Sequence, residues 1–346
     1  MALAPNAKAT RKLTPPLSRI FVFLLPVFIL SIFEGCFPRP VSRQRIDDHG
    51  TFHEIMVVGK TKNERGKILS DAVLLLKRIN RNLDPVDPMS EISKINKHGF
   101  ENPQPVSLEI FWLIKQSIEF FEKSGGAFDI TAYPLTQLWG FDEKSPRLPE
   151  AVQIQGLLPR IGSNLLELNE KKNTVKFQVP GVAIDLRTVG KGYACDEIIE
   201  FLKGQGVEDA LVNIGGTIRV LGKSPEGKSW RVGLRHPRDP TRTLRVVSLE
   251  NEAVSTRGDD EVFFVVNGRR FFNILNPRTG YPAHESVVVS VIAPSALLAD
   301  ALSTSLFVLG PEKTPTFIRQ FQNVRWYLTY FSNGDHFKTL SSEPTD

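Results

Sequence analysis

The sequence predicts an α+β fold, in which mixed or antiparallel sheets pack against helices. Helices are predicted at residues 71–80, 90–96, 108–124, 193–203 and 297–309. Between residues 210 and 275, short apolar segments follow one another as successive strands, and Asn267-Gly268 is a strong hairpin turn. Strands in direct succession, with helices grouped elsewhere, are typical of α+β folds.

The composition is that of a globular protein large enough to bury a substantial core. Of the 346 residues, 41% are hydrophobic and 23% are charged, which allows one large domain or two moderate ones. The net charge of +5 is mild, and the basic residues are scattered along the chain. These features give no support to nucleic-acid binding.

The N-terminus has the pattern of a secretory signal. Basic residues precede an apolar run at residues 20–33, which is shorter than the roughly 20 residues of a membrane-spanning helix. Residues 33–36 resemble a bacterial lipoprotein processing box. We therefore expect lipidation at Cys36 and anchoring at the periplasmic or other extracytoplasmic face of a bacterial membrane. An uncleaved signal anchor is the alternative.

Composition also divides the rest of the chain. We predict a signal segment at residues 1–36, a polar, arginine-rich tether at 37–48 and a body at 49–340. A polar, proline-containing loop at 142–150 is the best candidate for a boundary between two subregions of that body.

In the N-terminal half, a strand is expected at residues 51–58 and helices at 71–80, 90–96 and 108–124. Ser90 is a predicted N-cap, and Gly125-Gly126 ends the third helix. A strand at 175–179 is expected to pair with the chain at 182–186.

Residues 183–216 form the unit around which we expect the site to be built. A strand at 183–186 and a glycine-containing turn at 187–192 lead into a helix at 193–203, then a strand at 210–214. The helix start exposes unpaired N–H groups and the positive end of the dipole, and Lys191 adds a charge. This indicates a seat for a phosphate or pyrophosphate, although neither common phosphate-loop motif is present. An ordinary strand–turn–helix unit is the alternative.

In the C-terminal half, the pattern predicts a succession of strands and one long helix at 297–309. The strands are expected at residues 218–221, 230–234, 245–249, 253–255, 262–266, 270–275, 287–292 and 324–331.

The helix at 297–309 carries the strongest indication of a metal. Asp300 and Thr304 lie four residues apart and therefore face one side, with Ser303 beside them. A carboxylate and a hydroxyl suit a hard cation such as Mg²⁺. The alternative is a solvated carboxylate and a packed threonine. The six histidines show no metal-ligand spacing, and no Ser/His/Asp set is legible.

Six motifs in order give the chain its family resemblance. They are SEISKIN at 90–96, GAFDIT with PL and LWGF at 126–141, DL, GKGYA and D at 185–196, VNIGG at 212–216, NPRTGYP at 276–282 and ADA with T at 299–304. Over residues 50–310 the chain resembles the ApbE family of FAD:protein FMN transferases.

The resemblance implies a T-fold-like body of two subregions with the flavin between them. It also implies Mg²⁺-dependent transfer of FMN from FAD, with release of AMP, to a Thr or Ser of an exported flavoprotein. By position, the cation falls to Asp300, Thr304 and the carbonyl of Thr188, with Ser303 nearby. FAD contacts fall to His49, Phe128, Asp129, Asp185, Lys191 and Ile274.

The chain departs from the family pattern where the chemistry is concentrated. Asn273 stands at the position of the family's histidine, the implied general base, and an amide cannot accept a proton at neutral pH. Arg257 replaces a usual serine and Arg187 a usual small residue. Two alternatives to a transferase follow: a lipoprotein that only binds FAD, and an enzyme that hydrolyses FAD to FMN and AMP. A substitute base, such as His284 or Asp259, stays open.

Overall fold

Eight antiparallel strands form the main sheet of the protein. A computed structural model describes residues 38–48, 51–141, 146–332 and 336–343. The strands are β1 (Val41–Asp48), β2 (Thr51–Val58), β3 (Gln104–Pro105), β4 (Leu166–Asn169), β5 (Thr174–Phe177), β6 (Ala210–Ile214), β7 (Thr217–Leu221), β8 (Trp230–His236), β9 (Asp239–Leu249), β10 (Ala253–Gly258), β11 (Phe263–Val266), β12 (Arg269–Phe272), β13 (Val288–Ala293), β14 (Arg325–Phe331) and β15 (Phe337–Ser341). The helices are α1 (Lys62–Leu83), α2 (Glu91–His98), α3 (Leu108–Ser124), α4 (Tyr133–Trp139), α5 (Ala151–Leu157), α6 (Arg187–Gly204) and α7 (Ala296–Phe317).

The main sheet has the order β1-β2-β6-β7-β10-β13-β14-β15. Three small sheets, β3-β5-β4, β8-β9 and β11-β12, accompany it, and every strand pair is antiparallel. The predicted α+β class with antiparallel sheets is therefore confirmed.

Helices α6 and α7 pack closely against each other beside this sheet, and they position the site. A Cβ on Gly192 would come within 2.4 Å of the Ala296 carbonyl oxygen, so only glycine allows this approach. Asp196 of α6 accepts hydrogen bonds from the Ala296 and Leu297 amides at 2.8 and 2.9 Å, which satisfies free N–H groups at the start of α7. The N-terminal halves of α6 and α7 are thereby held in a fixed position relative to each other.

Several predicted helix ends and turns are confirmed. Ser90 caps α2 by accepting from the Ser93 amide at 2.9 Å. Helix α3 ends at Gly125, whose φ of 58° is the left-handed conformation expected there. Asn267 and Gly268 both have positive φ between β11 and β12, as a two-residue hairpin turn requires.

The central unit differs from its prediction in two places. Residues 182–186 join no ladder, because the Ile184 backbone is bonded in both directions to the Asn96 side chain and the Asp185 backbone amide donates to the Ile130 carbonyl. The predicted turn at 187–192 is the first part of α6. Its glycines serve close packing inside a helix.

The predicted tether forms β1, which pairs with β2 along its whole length. A polar strand is stable here because β1 is the edge of the sheet, where charged side chains remain in water. The signal segment at 1–36, including Cys36, lies outside the described residues, as does part of the 142–150 loop. Among the helices of the described ranges, none combines the length and apolarity that a membrane crossing requires.

Candidate functional site

A cavity of about 370 Å³ opens at the N-terminal end of α6. The rest of its wall comes from the segment after α3 together with α4, the end of β10 and the loop that follows it, the loop after β12, and α7. The lining residues are Ala127, Asp129, Ala132, Thr136, Phe141, Asp185, Arg187, Thr188, Lys191, Arg257, Glu261, Val262, Asn273, Ile274, Leu275, Pro277 and Thr304.

Asp129 is a buried carboxylate held by three hydrogen bonds to one oxygen. Its Oδ1 accepts from the amide and hydroxyl of Thr131, at 2.9 and 2.7 Å, and from the Ser163 hydroxyl at 2.7 Å. Burial raises the pKa of this carboxyl above its usual value, and the hydrogen bonds offset part of that shift. Asp129 is therefore rigidly placed at the cavity wall.

Asp185 and Arg187 form a second rigid group at the mouth of α6. The Asp185 carboxylate accepts from the Arg187 amide at 2.8 Å and from its guanidinium at 2.7 Å. The guanidinium also lies over the Tyr133 ring, 6.0 Å from the ring centroid. This pair puts a charged wall beside the helix start.

The α6 N-terminus supplies the groups expected for an anion. Thr188 and Lys191 both line the cavity, and the Lys191 ammonium donates to the Gly215 carbonyl at 3.3 Å. Burial is the main reason that the pKa of Lys191 falls below its usual value, and the nearby charge of Arg257 adds to the effect. Lys191 is thus a basic side chain of the cavity wall in the first turns of α6, and the phosphate seat stays a prediction.

Asp300 lies beneath this seat and is completely buried. Its Oδ2 accepts from the Gly192 amide at 2.9 Å, and its Oδ1 accepts from the Ser255 hydroxyl at 3.2 Å. Ser303 is buried too and donates to the Asp300 carbonyl at 2.9 Å. Thr304 donates to the same carbonyl at 3.2 Å, and its side chain borders the cavity.

The oxygen atoms predicted to hold a cation already have a positive group among them. Arg257 donates through Nη2 to Asp300 Oδ1 at 2.5 Å and to the Thr188 carbonyl at 3.2 Å. A carboxylate, a carbonyl and a hydroxyl are the donors that Mg²⁺ takes, yet the guanidinium bonds two of the three. With Arg257 in this position, the set does not fit a divalent cation. No group of three His, Cys, Asp or Glu able to hold a metal occurs in the described ranges either.

The loop after β12 brings Asn273 and Ile274 to the opposite wall. The backbone N–H of Asn273 donates to the Val262 carbonyl at 3.1 Å, which fixes the loop beside the segment that carries Glu261. The 276–282 loop is a rigid connection. Arg278 bonds the carbonyls of Ser124 and Gly125, and the Trp139 indole donates to the Gly280 carbonyl at 2.9 Å.

The structure gathers most, but not all, of the predicted site residues. Those lining the cavity are Asp129, Asp185, Thr188, Lys191, Asn273, Ile274 and Thr304. Phe128 is instead buried in the core, edge-on to Phe120 with ring centroids 5.8 Å apart. Asp300 and Ser303 lie behind the wall, and His49 lies outside the described residues.

Three charged residues of the wall were not predicted as site residues: Arg187, Arg257 and Glu261. For the two arginines the signal was present, since both depart from the family pattern. The two suggested substitute bases are not in the wall. Asp259 is bound by Arg238 at 2.6 and 2.7 Å, and His284 packs edge-on against Phe272.

The chain is similar to known proteins over most of its length. The family model described as ApbE family matches residues 49–328. An FAD:protein FMN transferase of Klebsiella pneumoniae is 32% identical over 299 residues, which cover 85% of this chain and 85% of that protein. One of Escherichia coli K12 is 33% identical over 281 residues, covering 78% and 80%.

Solved structures agree with the sequence relatives. An ApbE protein of Thermotoga maritima matches with a TM-score of 0.80 and 31% identity, over 86% of this chain and 96% of that one. The apo form of a flavinyl transferase ApbE of Pseudomonas stutzeri matches with a TM-score of 0.77 and 28% identity, over 88% and 95%. The ApbE-like fold that was predicted is confirmed.

Proposed function

The chain belongs to the ApbE family, and we therefore propose that it is an FAD:protein FMN transferase. In this proposal it moves FMN from FAD to a Thr or Ser hydroxyl of an exported flavoprotein and releases AMP. The observation that carries the proposal is the cavity at the α6 N-terminus, because the predicted contacts Asp129, Asp185, Lys191 and Ile274 converge on it.

The cavity residues supply binding and orientation for a dinucleotide. Lys191 and the positive end of the α6 dipole offer positive charge to a pyrophosphate. Ile274 and Leu275 offer an apolar surface on the opposite wall, where a flavin ring would lie. Asp129 Oδ2, which takes no part in the three hydrogen bonds to Oδ1, provides a fixed acceptor for a polar group of the ligand.

The reaction itself is a phosphoryl transfer. The acceptor hydroxyl oxygen attacks the phosphorus of the FMN half, the bond to the bridging oxygen breaks, and AMP leaves with the electron pair. Positive charge at the cavity wall stabilises the charge that develops on the leaving phosphate.

Glu261 takes the hydroxyl proton in this proposal. Asn273 cannot do so, both carboxylate oxygens of Asp185 accept from Arg187, and Asp129 is buried, with three hydrogen bonds to its Oδ1. Glu261 is an exposed carboxylate of the wall, and the described part of the chain provides it with no hydrogen-bond or ion-pair partner. It lies next to Val262, whose carbonyl bonds the Asn273 amide, so it is beside the position of the family's base.

Two finer predictions accompany the transferase. Lipid anchoring at Cys36 and an extracytoplasmic location rest on the sequence pattern alone. A Mg²⁺ requirement rests on the resemblance, and the position of Arg257 speaks against it. Mg²⁺ would supply charge neutralisation at the pyrophosphate.

The second candidate is FAD hydrolysis, in which water replaces the acceptor hydroxyl and no protein acceptor is needed. Asn273 favours this candidate, because it stands where the family's base for activating the acceptor hydroxyl is implied.

To distinguish the two reactions, the purified protein is incubated with FAD and a candidate flavoprotein acceptor. AMP release is measured together with flavin fluorescence that survives denaturation of the acceptor. Covalent flavin with AMP supports the transferase. AMP at the same rate with and without the acceptor, and no covalent flavin, indicates hydrolysis and contradicts the transferase.

A further inference from the structure

Arg257 occupies the position of a cation in the phosphate seat. It extends from β10, and its Nη2 bridges Asp300 Oδ1 and the Thr188 carbonyl. These are two of the three kinds of oxygen that the family resemblance assigns to a metal. The side chain is only 12% exposed and the Asp300 side chain 0% exposed, so the pair is screened from water.

Asp300 needs a positive partner because it is buried. An ionised carboxylate is very costly to bury unless it is paired and hydrogen-bonded. The Gly192 amide and the Ser255 hydroxyl supply neutral donors. Arg257 forms the ion pair with Asp300, and Lys191 is a second basic group close enough to interact with this carboxylate.

A divalent cation and the Arg257 guanidinium cannot both use this place. A Mg²⁺ ion lies about 2.0–2.1 Å from its oxygen ligands, whereas Nη2 is already 2.5 Å from Asp300 Oδ1. The two cations would overlap and repel each other. Serine, the residue that the resemblance gives at this position, would leave the same oxygen atoms free for a metal.

The guanidinium also faces the ligand. Arg257 lines the cavity together with Lys191, so two fixed positive charges border one seat. A dinucleotide pyrophosphate carries two negative charges, and guanidinium–phosphate contacts are among the stronger hydrogen bonds. A pyrophosphate at the seat would therefore meet two basic side chains.

We propose that Arg257 is the resident cation of this site, so that the chain holds the FAD pyrophosphate without a divalent metal. The identity of the ligand rests on the proposed function, whereas the exclusion of the metal does not. Arg257 neutralises Asp300 on one side and contacts the pyrophosphate on the other.

The test separates the two parts of this proposal. Mn²⁺ alone is titrated into the protein and free Mn²⁺ is followed by electron paramagnetic resonance. FAD binding is measured separately by flavin fluorescence, in EDTA and in Mg²⁺. The variants are Arg257→Ser, Arg257→Lys, Asp300→Asn and the double variant Arg257→Ser with Asp300→Asn.

The matched control is Arg219→Ser. Arg219 has the same side-chain exposure of 12%, forms an ion pair with Asp196 at 3.4 Å, and like Arg257 has a buried Nε with no hydrogen bond among the described residues. It does not line the cavity. Any effect of removing a half-buried arginine as such appears in this variant too.

The wild type is expected to bind no Mn²⁺ at this site and to bind FAD equally well in EDTA and in Mg²⁺. Arg257→Ser gains one Mn²⁺ site that Asp300→Asn abolishes. Its FAD affinity in EDTA falls about 10-fold to 100-fold, as for the loss of a charge-assisted hydrogen bond, and Mg²⁺ restores it. Arg257→Lys and Arg219→Ser gain no site.

Two results would overturn the proposal. One is wild-type Mn²⁺ binding that Asp300→Asn removes, and the other is wild-type FAD binding that EDTA abolishes. Both use the wild type, so they decide the matter even if Arg257→Ser does not fold. If no variant binds FAD under any condition, the proposed function fails, while the Mn²⁺ titration still reports on Arg257.

Discussion

Replacing Gly192 with alanine tests whether the contact between α6 and α7 holds the site together. The added Cβ would lie 2.4 Å from the Ala296 carbonyl oxygen and 2.7 Å from Leu297 Cα, whereas ordinary contact begins at 3.4 Å. The obstructing atoms are backbone, so the start of α7 must retreat by about 1 Å to reach ordinary separation. That movement stretches the 2.9 Å bond from the Gly192 amide to Asp300.

The expected cost follows from these two effects. Overpacking a core contact costs about 1–3 kcal/mol, and a weakened hydrogen bond to a buried charge costs about 1.5–3 kcal/mol. Gly192→Ala should therefore lower the free energy of unfolding by roughly 2.5–6 kcal/mol. FAD binding should weaken with it, because Arg257 and Thr304 both depend on the position of Asp300.

The assay is urea unfolding followed by fluorescence and circular dichroism. The control is Gly204→Ala in the same helix, where an added Cβ meets nothing within 4 Å. That variant should be unchanged or up to about 1 kcal/mol more stable, because alanine favours helix. If Gly192→Ala is as stable as Gly204→Ala, the close approach of the two helices is not a constraint and the reasoning is wrong.

Three further outcomes are expected. Glu261→Gln should slow flavin transfer by about 10²–10⁴-fold, with FAD affinity unchanged. The control Glu312→Gln, which alters an exposed carboxylate of α7, should transfer flavin at the wild-type rate. If the two variants transfer flavin at the same rate, Glu261 is not the base. Asp129→Asn should be more stable than wild type at neutral pH, because burial raises the pKa of Asp129 and its charged form opposes folding. This gap should close as the pH falls toward the usual carboxyl pKa of about 4, and a gap that is constant in urea unfolding across the pH series contradicts the assignment. Trp139→Phe should lose about 1 kcal/mol in urea unfolding, since the indole donates to the Gly280 carbonyl, and an unchanged midpoint would show that this bond contributes nothing.

The parts of the site that sequence predicts well are those on one continuous segment. Thr188 and Lys191 share the first turns of α6, and apolar spacing placed the helix that follows them. Asp300 and Thr304 share a face of α7 because four residues make about one turn. Periodicity is local, so these relations can be read without the fold.

Contacts between residues far apart in the sequence could not be predicted from local patterns. Arg257 reaches Asp300 from another strand, and no local pattern signals such an ion pair. The side chain of Phe128 points into the core while that of its neighbour Asp129 borders the cavity, a choice set by the packing of α3. The apolar segment 182–186 resembled a strand, and only the fold reveals that Asn96 satisfies its backbone.

The strand order of the main sheet has a consequence for how the protein comes to be folded. Strand β2 pairs with β6, so Ile55 lies opposite Val212, far along the chain. Strand β10 pairs with β13, although β11, β12 and the loop after β12 lie between them in the sequence. Long loops must close before such pairs form, which slows folding relative to helical proteins with local contacts. A growing chain that stops short of α7 has no Asp300 to meet Arg257 and no partner for the Asp196 cap. The site therefore requires α6, β10 and α7 together, and neither half of the chain can build it alone.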